Sequence, residues 1–153
     1  RRQCAMTRYL LDTNIASHII KGDIPAVREQ LVRVPMHQIA VSAVTQAELM
    51  YGVAKRGHPA GLSLRVTGFL ARVEVLPWTA QVADAYGHLR TACEAAGITL
   101  ASMDMMIAAH ALLLQQQAAQ AGERSVLVTR DRVFSRIPEP GLAIADWTTG
   151  PAG

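Results

Sequence analysis

The sequence is poor in cysteine, in aromatic residues and in long hydrophobic runs. Cys4 and Cys93 are the two cysteines of a 153-residue chain, too few for a disulfide framework, so we expect a reducing compartment, the cytoplasm. No run of 18 apolar residues is free of charge, and therefore no membrane-spanning helix and no membrane partner are predicted. Polar residues interrupt the apolar stretch 9–20, which argues against a signal peptide.

Several kinds of functional motif are also missing. There is no glycine-rich phosphate-binding loop, which argues against a nucleotide-driven ATPase. The five histidines, His18, His37, His58, His88 and His110, show no metal-ligand spacing. No serine or cysteine nucleophile is presented beside a histidine. These absences direct attention to the acidic residues.

Length and composition predict one domain. Half of the 153 residues are hydrophobic, enough for one sizeable core. Met6 resembles a natural start, so we expect a single domain over residues 6–149 and treat residues 1–5 as a vector remnant or an N-terminal extension. The net charge of +3, with thirteen arginines and two lysines, fits a nucleic-acid partner; a GC-rich genome would produce the same usage.

Short apolar segments alternate with longer helical patterns. The predicted strands are "RYLL", "HQIAVSA", "VEVLPW", "SVLVT" and "LAIADW". This alternation predicts a three-layer α/β domain with a mostly parallel central sheet flanked by helices. In such sheets, ligands bind beyond the carboxyl ends of the strands.

Three features of the predicted helices bear on the site. Asp23 is expected to cap a helix that has Pro25 in its first turn. The segment 80–97 carries one apolar stripe, formed by Val82, Tyr86, Leu89 and Cys93. A long apolar helix follows, and the glutamines of segment 112–125 indicate an extended helix end.

Four of the twelve acidic residues have apolar neighbours and belong to no charged run: Asp12, Glu48, Asp104 and Asp131. Asp12 and Asp131 follow predicted strands, so a parallel topology sends them to the same sheet edge. Asp104 opens the long helix, and Glu48 lies two turns into a helix if Ser42 is its cap. The four are therefore expected to converge on one cleft.

Each of the four also has a purely structural interpretation. These interpretations are an N-cap at Asp12 or Asn14, a capping box formed by Thr45 and Glu48, a partner for the helix dipole at Asp104 behind an N-cap at Ser102, and a cap of a short turn at Asp131.

A cluster of four carboxylates predicts a bound cation. Two carboxylates about 4 Å apart repel by about 4 kcal/mol at an effective dielectric constant of 20. A divalent cation relieves that repulsion, and Mg²⁺ or Mn²⁺ suits an all-oxygen site. Such an ion lowers the pKa of a bound water and stabilises charge on a phosphodiester. The residues thus predict metal-dependent phosphodiester hydrolysis.

Four segments together resemble a known family. "YLLDTNI", "VSAVTQAELMYG", "MDMMIAAHA" and "LVTRDRVFSRI…GLAIADW" occur in the order and spacing of PIN-domain proteins, specifically VapC-type toxins of bacterial toxin–antitoxin pairs. The resemblance runs from Met6 to Trp147. It implies a small α/β ribonuclease that needs Mg²⁺ or Mn²⁺, acts on tRNA or ribosomal RNA, forms a homodimer and is blocked by a VapB-type antitoxin, through which alone it reaches DNA.

The resemblance also assigns roles by position. Asp12, Glu48, Asp104 and Asp131 match the family's acidic metal-binding residues. Thr13 and Asn14 complete the first motif, with Asn14 as a support for Asp12 or for a metal-bound water. Thr129 matches the threonine before the fourth acid and is expected to orient it.

The sequence departs from the family pattern at three places. Arg130 stands where a small polar residue is frequent, Val133 replaces a frequent acid, and segment 112–125 is longer than usual. The fourth acid is surrounded by Arg130, Arg132 and Arg136. Three roles are open for these arginines: contact with RNA phosphates, a place in a solvated loop, or contact with an acidic tail of the antitoxin.

Other apolar features have an interpretation as packing. Trp78 and Trp147 are expected to pack in the core or a dimer interface rather than to stack on bases. The segment "AELMYGVAKR" with Val66, Phe69 and Leu70 forms either a groove for a partner helix or ordinary core.

Two functional hypotheses follow. The first is a metal-dependent endoribonuclease toxin. The second is a PIN-type subunit that works mainly in a DNA-bound regulatory complex with little nuclease turnover. The intact set of four acids favours the first.

Overall fold

The computed structural model describes residues 6–149, and the expectation for residues 1–5 lies outside that range. Its strands are β1 (Thr7–Leu11), β2 (Ile39–Ser42), β3 (Glu74–Leu76), β4 (Arg124–Val128) and β5 (Ile144–Ala145). They form one sheet in the order β3-β2-β1-β4-β5, and every neighbouring pair is parallel. The predicted α/β class is confirmed, with a sheet that is parallel throughout.

Helices cover the two faces of the sheet. They are α1 (Thr13–Lys21), α2 (Pro25–Arg33), α3 (Ala43–Lys55), α4 (Ala60–Arg72), α5 (Ala80–Ala95) and α6 (Ser102–Gln120), and short 3₁₀ turns span Met36–Gln38 and Arg132–Arg136. Leu10 packs with residues of α5 and α6 on one face, whereas Leu11 packs with residues of α1, α2, α3 and α4 on the other. Two separate apolar cores result, because successive strand residues point to opposite faces.

The central strands are buried, as their uninterrupted apolar runs predict for a parallel sheet covered on both faces. All of β2 and four of the five residues of β4 are buried. On α5, the predicted stripe faces the core through Val82, Leu89 and Cys93. This core places the carboxyl ends of β1 and β4 side by side.

The predicted helix cap at Asp23 is wrong, and of the two alternatives for α3 the cap is Ser42 rather than Thr45. The N-cap of α2 is Ile24, which makes no side-chain cap, and Asp23 instead accepts a 2.9 Å hydrogen bond from His18 Nδ1. The N-cap of α3 is Ser42, whose Oγ accepts from the Val44 N–H at 3.1 Å. The capping box at Thr45 is therefore not formed. Glu48 lies two turns into α3, the position that lets it reach the sheet edge.

The end of α6 is extended, as the glutamines predict. Its Gln115 amide donates to the carbonyl of Gly141 at 3.0 Å and accepts from the Ala143 N–H at 2.7 Å. The long segment 112–125 therefore holds the chain that leads into β5.

The tryptophans pack as predicted. Trp147 is buried against Tyr9, and the Trp78 indole N–H donates to the carbonyl of Met106 at 3.0 Å. Within residues 6–149, none of the helices has the length and apolar character needed to cross a membrane.

Candidate active site

Two of the four acids lie where the central strands end. Asp12 follows β1 directly, and its backbone N–H donates to the carbonyl of Val128 at 3.0 Å, the last residue of β4. Asp131 comes three residues after β4. The parallel pairing of β1 with β4 therefore puts both acids at one edge of the sheet.

Asp12 is the most buried of the four acids, with 4% of its surface exposed. Its Oδ1 caps α1 by accepting from the Ile15 N–H at 2.8 Å, so the capping interpretation holds for Asp12 and not for Asn14. Burial raises the pKa of the Asp12 carboxyl, and the charges of Asp131 and Glu48 add to that rise. Hydrogen bonds from the Thr129 side chain and from Ile15 oppose it.

Glu48 reaches the same edge from α3. Its Oε1 accepts a 2.6 Å hydrogen bond from the Thr13 hydroxyl at the start of α1. The Thr13 oxygen lies in turn 3.1 Å from the hydroxyl of Thr45, which is fully buried. Contact between the first turns of α1 and α3 thus orients a carboxylate that is half-buried and one helical turn beyond Thr45.

Asp104 lies in the first turn of α6 and is half-buried. The N-cap of this helix is Ala101, so the alternative of an N-cap at Ser102 is wrong. Burial raises the pKa of its carboxyl most, and the charges of Glu48, Asp12 and Asp131 raise it further. Four acids that are up to 119 residues apart in the chain, from Asp12 to Asp131, therefore share one electrostatic environment.

Asp131 is exposed and forms the outer part of this cluster. Its Oδ1 caps the short turn Arg132–Arg136 by accepting from the Val133 N–H at 3.0 Å. Its backbone N–H donates to Thr129 Oγ1, also at 3.0 Å. Thr129 is buried and directly follows β4. Its side chain therefore connects Asp131 to the end of that strand, and it also donates a hydrogen bond to the Asp12 carboxylate.

The donor set of the cluster fits a hard divalent cation, because it consists of carboxylate and hydroxyl oxygens. A cation would also offset the repulsion between the acids, which contributes to the raised pKa values of Asp12 and Asp104. In the described part of the chain, no three histidine, cysteine or acidic side chains stand close enough together to share one ion. Direct binding through one or two carboxylates, completed by water, is the mode that Mg²⁺ commonly adopts.

The remaining predicted site residues lie at the rim. Asn14 is exposed, and within residues 6–149 its amide makes no hydrogen bond to Asp12. Arg130, Arg132 and Arg136 are exposed, and Arg130 Nη1 lies 3.5 Å from His18 Nε2. Across residues 6–149, none of the three arginines has a carboxylate within 4.0 Å.

Three polar residues behind the cluster were not among the predicted site residues. Thr45 contacts Thr13, and the buried His110 on α6 lies with its Nδ1 2.8 Å from the Oγ of Ser42, the cap of α3. The signal for Thr45 is its spacing, three residues before Glu48 on one helix face. His110 and Ser42 are 68 residues apart, and no local pattern predicts their contact.

An open groove of about 490 Å³ begins at Thr13 and Glu48 and runs between α1, α3 and α4. Its walls include Tyr51, which is 66% exposed. Val66 and Phe69 of α4 are buried, so the predicted stripe is core. The predicted groove also exists, because residues of α1, α3 and α4 line it, and the buried Val66 lies at its floor.

Known proteins similar to this chain were found by sequence and by fold. The family model described as the PIN domain matches residues 9–140. The tRNA(fMet)-specific endonuclease VapC of Salmonella typhimurium is 33% identical over 144 residues, 93% of this chain and 99% of that protein. Ribonuclease VapC2 of Rickettsia felis is 32% identical over 141 residues, 91% of this chain and 97% of that protein.

A solved structure has the same fold. The DNA-bound VapBC complex of Salmonella typhimurium contains a chain that superposes with a TM-score of 0.78 at 33% identity, covering 93% of this chain and 99% of that one.

Proposed function

Since this chain belongs to the PIN-domain family, and within it to the VapC proteins, we propose that it is a metal-dependent endoribonuclease, the toxin of a toxin–antitoxin pair. The single observation that carries the proposal is that acids from separate elements meet at one edge of the sheet, where burial and then the charges of Glu48, Asp12 and Asp131 raise the pKa of Asp104. A cluster of like charges held by the fold is unfavourable unless a cation or a proton joins it. The proposed substrate is RNA, specifically tRNA or ribosomal RNA, and the proposed place of action is the cytoplasm.

Each acid has a proposed role that follows from its surroundings. Asp12 is held rigidly by the Ile15 N–H and is the anchor for the ion, with Asp104 as the second ligand. Glu48, oriented by Thr13, and the exposed Asp131 are proposed to bind waters of the ion. A bound Mg²⁺ or Mn²⁺ supplies Lewis-acid chemistry and a water of lowered pKa.

The supporting residues position the acids and the RNA. Thr129 holds Asp131 from the end of β4, and Asn14 is proposed to orient a water at the rim. Arg130, Arg132 and Arg136 are proposed to bind RNA phosphates next to the ion, because they are exposed cations beside the fourth acid. The acids alone would repel a phosphodiester, so RNA binding requires both the ion and these arginines.

The test is cleavage of total RNA by the wild type and by Asp104→Asn, in Mg²⁺ or Mn²⁺ and again in EDTA. We expect the wild type to cleave only with metal, and Asp104→Asn to lose at least 100-fold in rate because it removes a proposed ligand and its charge. Gel analysis of the products gives the rates.

The matched control is Asp84→Asn, the same change at an exposed position on α5, which should cleave like the wild type. Cleavage that continues unchanged in EDTA and in Asp104→Asn would overturn the metal mechanism.

The proposed protein partner is a VapB-type antitoxin bound in the groove between α1, α3 and α4. The groove combines apolar walls with four cationic residues, Lys21, Lys55, Arg56 and Arg65, so it suits an amphipathic segment with acidic residues. Its inner end is formed by Thr13 and Glu48, and a segment bound there would reach the acids. We further propose that the toxin acts as a homodimer.

A regulatory role is a second candidate, favoured by one observation. A structure similar to this chain, the Salmonella complex, is described as DNA-bound VapBC. We propose that this chain reaches promoter DNA only through its antitoxin, in addition to its nuclease activity. A gel-shift assay tests this: the complex should bind DNA from its own promoter and the chain alone should not.

A further inference from the structure

We infer that Thr45 is a positioning residue for the active site, acting through Thr13 on Glu48, and this inference rests on the proposed metal-dependent function. Thr45 is fully buried, on the inner side of α3. Its hydroxyl lies 3.1 Å from that of Thr13, whose oxygen is 2.6 Å from Glu48 Oε1. Three side chains thus form one chain of hydrogen bonds that ends at a carboxylate of the cluster.

The direction of this chain follows from the chemistry of its ends. An ionised carboxylate only accepts hydrogen bonds, so the single hydroxyl hydrogen of Thr13 must be donated to Glu48. Thr13 can then only accept from Thr45, and Thr45 must be the donor. The Thr45 hydroxyl therefore holds the Thr13 oxygen in place from the other side while the Thr13 hydrogen points to Glu48.

This control matters because Glu48 experiences repulsion. Its charge acts on Asp12 and on Asp104, raising the pKa of both carboxyls. Glu48 is only half-buried, so a rotation toward solvent would relieve the repulsion and remove the carboxylate from the cluster. The short bond from Thr13 opposes that rotation before any cation arrives, and the bond from Thr45 fixes Thr13.

Capping of α3 does not explain the hydroxyl group of Thr45. The cap of α3 is Ser42 rather than Thr45, and the two threonines are 32 residues apart in the chain. A valine has nearly the same shape as threonine and would fill the same buried space. A hydroxyl at this position costs desolvation and is retained only with a partner, which here is the residue that holds Glu48.

The experiment compares Thr45→Val, Thr45→Ser and the wild type. The first readout is Mn²⁺ affinity, obtained by titrating the purified chain and measuring free Mn²⁺ by electron paramagnetic resonance. We expect Thr45→Val to weaken binding about 10-fold, the lower end of the range for residues that orient metal ligands. Thr45→Ser keeps the donor and should bind within about twofold of the wild type.

A second comparison tests whether Thr45 acts through Glu48. In a Glu48→Ala background there is no carboxylate to orient, so adding Thr45→Val should change Mn²⁺ affinity by less than about twofold. The melting temperature without metal serves as the fold control, and Thr45→Val and Thr45→Ser should both stay within a few degrees of the wild type.

The outcomes separate the two proposals. If the wild type binds Mn²⁺ and Thr45→Val binds it equally well, the positioning role is wrong and the nuclease proposal stands. If Thr45→Val weakens binding equally with and without the Glu48 carboxylate, Thr45 acts only on the fold. If the wild type binds no Mn²⁺, the metal-dependent function fails and the positioning role fails with it.

Discussion

Asp12 combines an observed capping role with a proposed metal-binding role. One of its oxygens caps α1 through the Ile15 N–H, which stabilises the helix start. Its burial and the nearby charges of Asp131 and Glu48 also raise the pKa of its carboxyl, which a cap alone does not require. The capping interpretation and the metal interpretation are therefore compatible at this residue, because an aspartate has two oxygens.

Asp104 shows how the acid cluster lowers the stability of the metal-free chain at neutral pH. Its folded-state pKa is raised, so the folded chain holds the proton more tightly than the unfolded chain does. The contribution of Asp104 to stability is then greatest at low pH and is lost as the pH rises through its folded pKa. We expect Asp104→Asn to raise the metal-free melting temperature at pH 7 by about 2–4 °C, the shift that about 1 kcal/mol gives in a chain of this size.

Differential scanning fluorimetry in EDTA gives this melting temperature. The gain should vanish near pH 3, where the carboxyl is protonated in both states, and Asp84→Asn on α5 should show no such gain. A lower melting temperature for Asp104→Asn at pH 7 would mean that its favourable interaction with the α6 dipole exceeds the repulsion.

At the scale of elements, a buried polar contact ties α6 to the start of α3. His110 Nδ1 lies 2.8 Å from Ser42 Oγ, and Ser42 caps the helix that carries Glu48. Burial, together with the charge of Arg8, lowers the pKa of His110 to about 4. The imidazole is therefore neutral in the folded chain at neutral pH and fixes the relative position of the helices that carry Asp104 and Glu48.

This contact predicts a loss of stability on mild acidification. Between its unfolded pKa of 6.5 and its folded pKa of about 4, His110 takes up a proton only in the unfolded chain. Its contribution is complete above pH 6.5 and declines as the pH falls, by about 2 kcal/mol from pH 7 to pH 5. Urea denaturation at the two pH values measures the change.

His110→Asn keeps a neutral hydrogen-bonding group and should lack this part of the pH dependence. His88→Asn, an exposed position on α5, should retain it. Equal pH dependence in wild type and His110→Asn would show that other groups cause the loss.

At the scale of the whole molecule, the acids and the groove form one continuous surface. The proposed antitoxin groove starts at Thr13 and Glu48, so a partner segment and the RNA would compete for the same end of the sheet. Tyr51 is the exposed aromatic residue on the α3 wall, with Lys55 Nζ 5.5 Å from the centre of its ring.

We expect Tyr51→Ala to weaken binding of the proposed VapB-type antitoxin at least 10-fold, because tyrosines that become buried on binding commonly dominate interface energies. Calorimetric titration gives the affinity, and RNA cleavage without antitoxin should be unchanged. Val32→Ala on α2, which removes a side chain that is 78% exposed and outside the groove, is the control. An unchanged affinity for Tyr51→Ala would place the partner on another surface.

The sequence by itself determined the class of fold and the positions of the acids. Apolar strands buried on both faces, such as β4, have a composition that differs from that of amphipathic helices, and acids that follow such strands in a parallel sheet must lie at one edge. These signals are local, since each depends on a few neighbouring residues.

Only the tertiary structure decided which hydroxyl caps α3, that Asp23 bonds His18, and that Thr13 contacts both Thr45 and Glu48. The last of these contacts joins residues 32 to 35 positions apart. It exists because α1 and α3 pack against the same face of the sheet. Side-chain periodicity specifies which face of a helix is buried, but the packing of two helices specifies which residues on those faces meet.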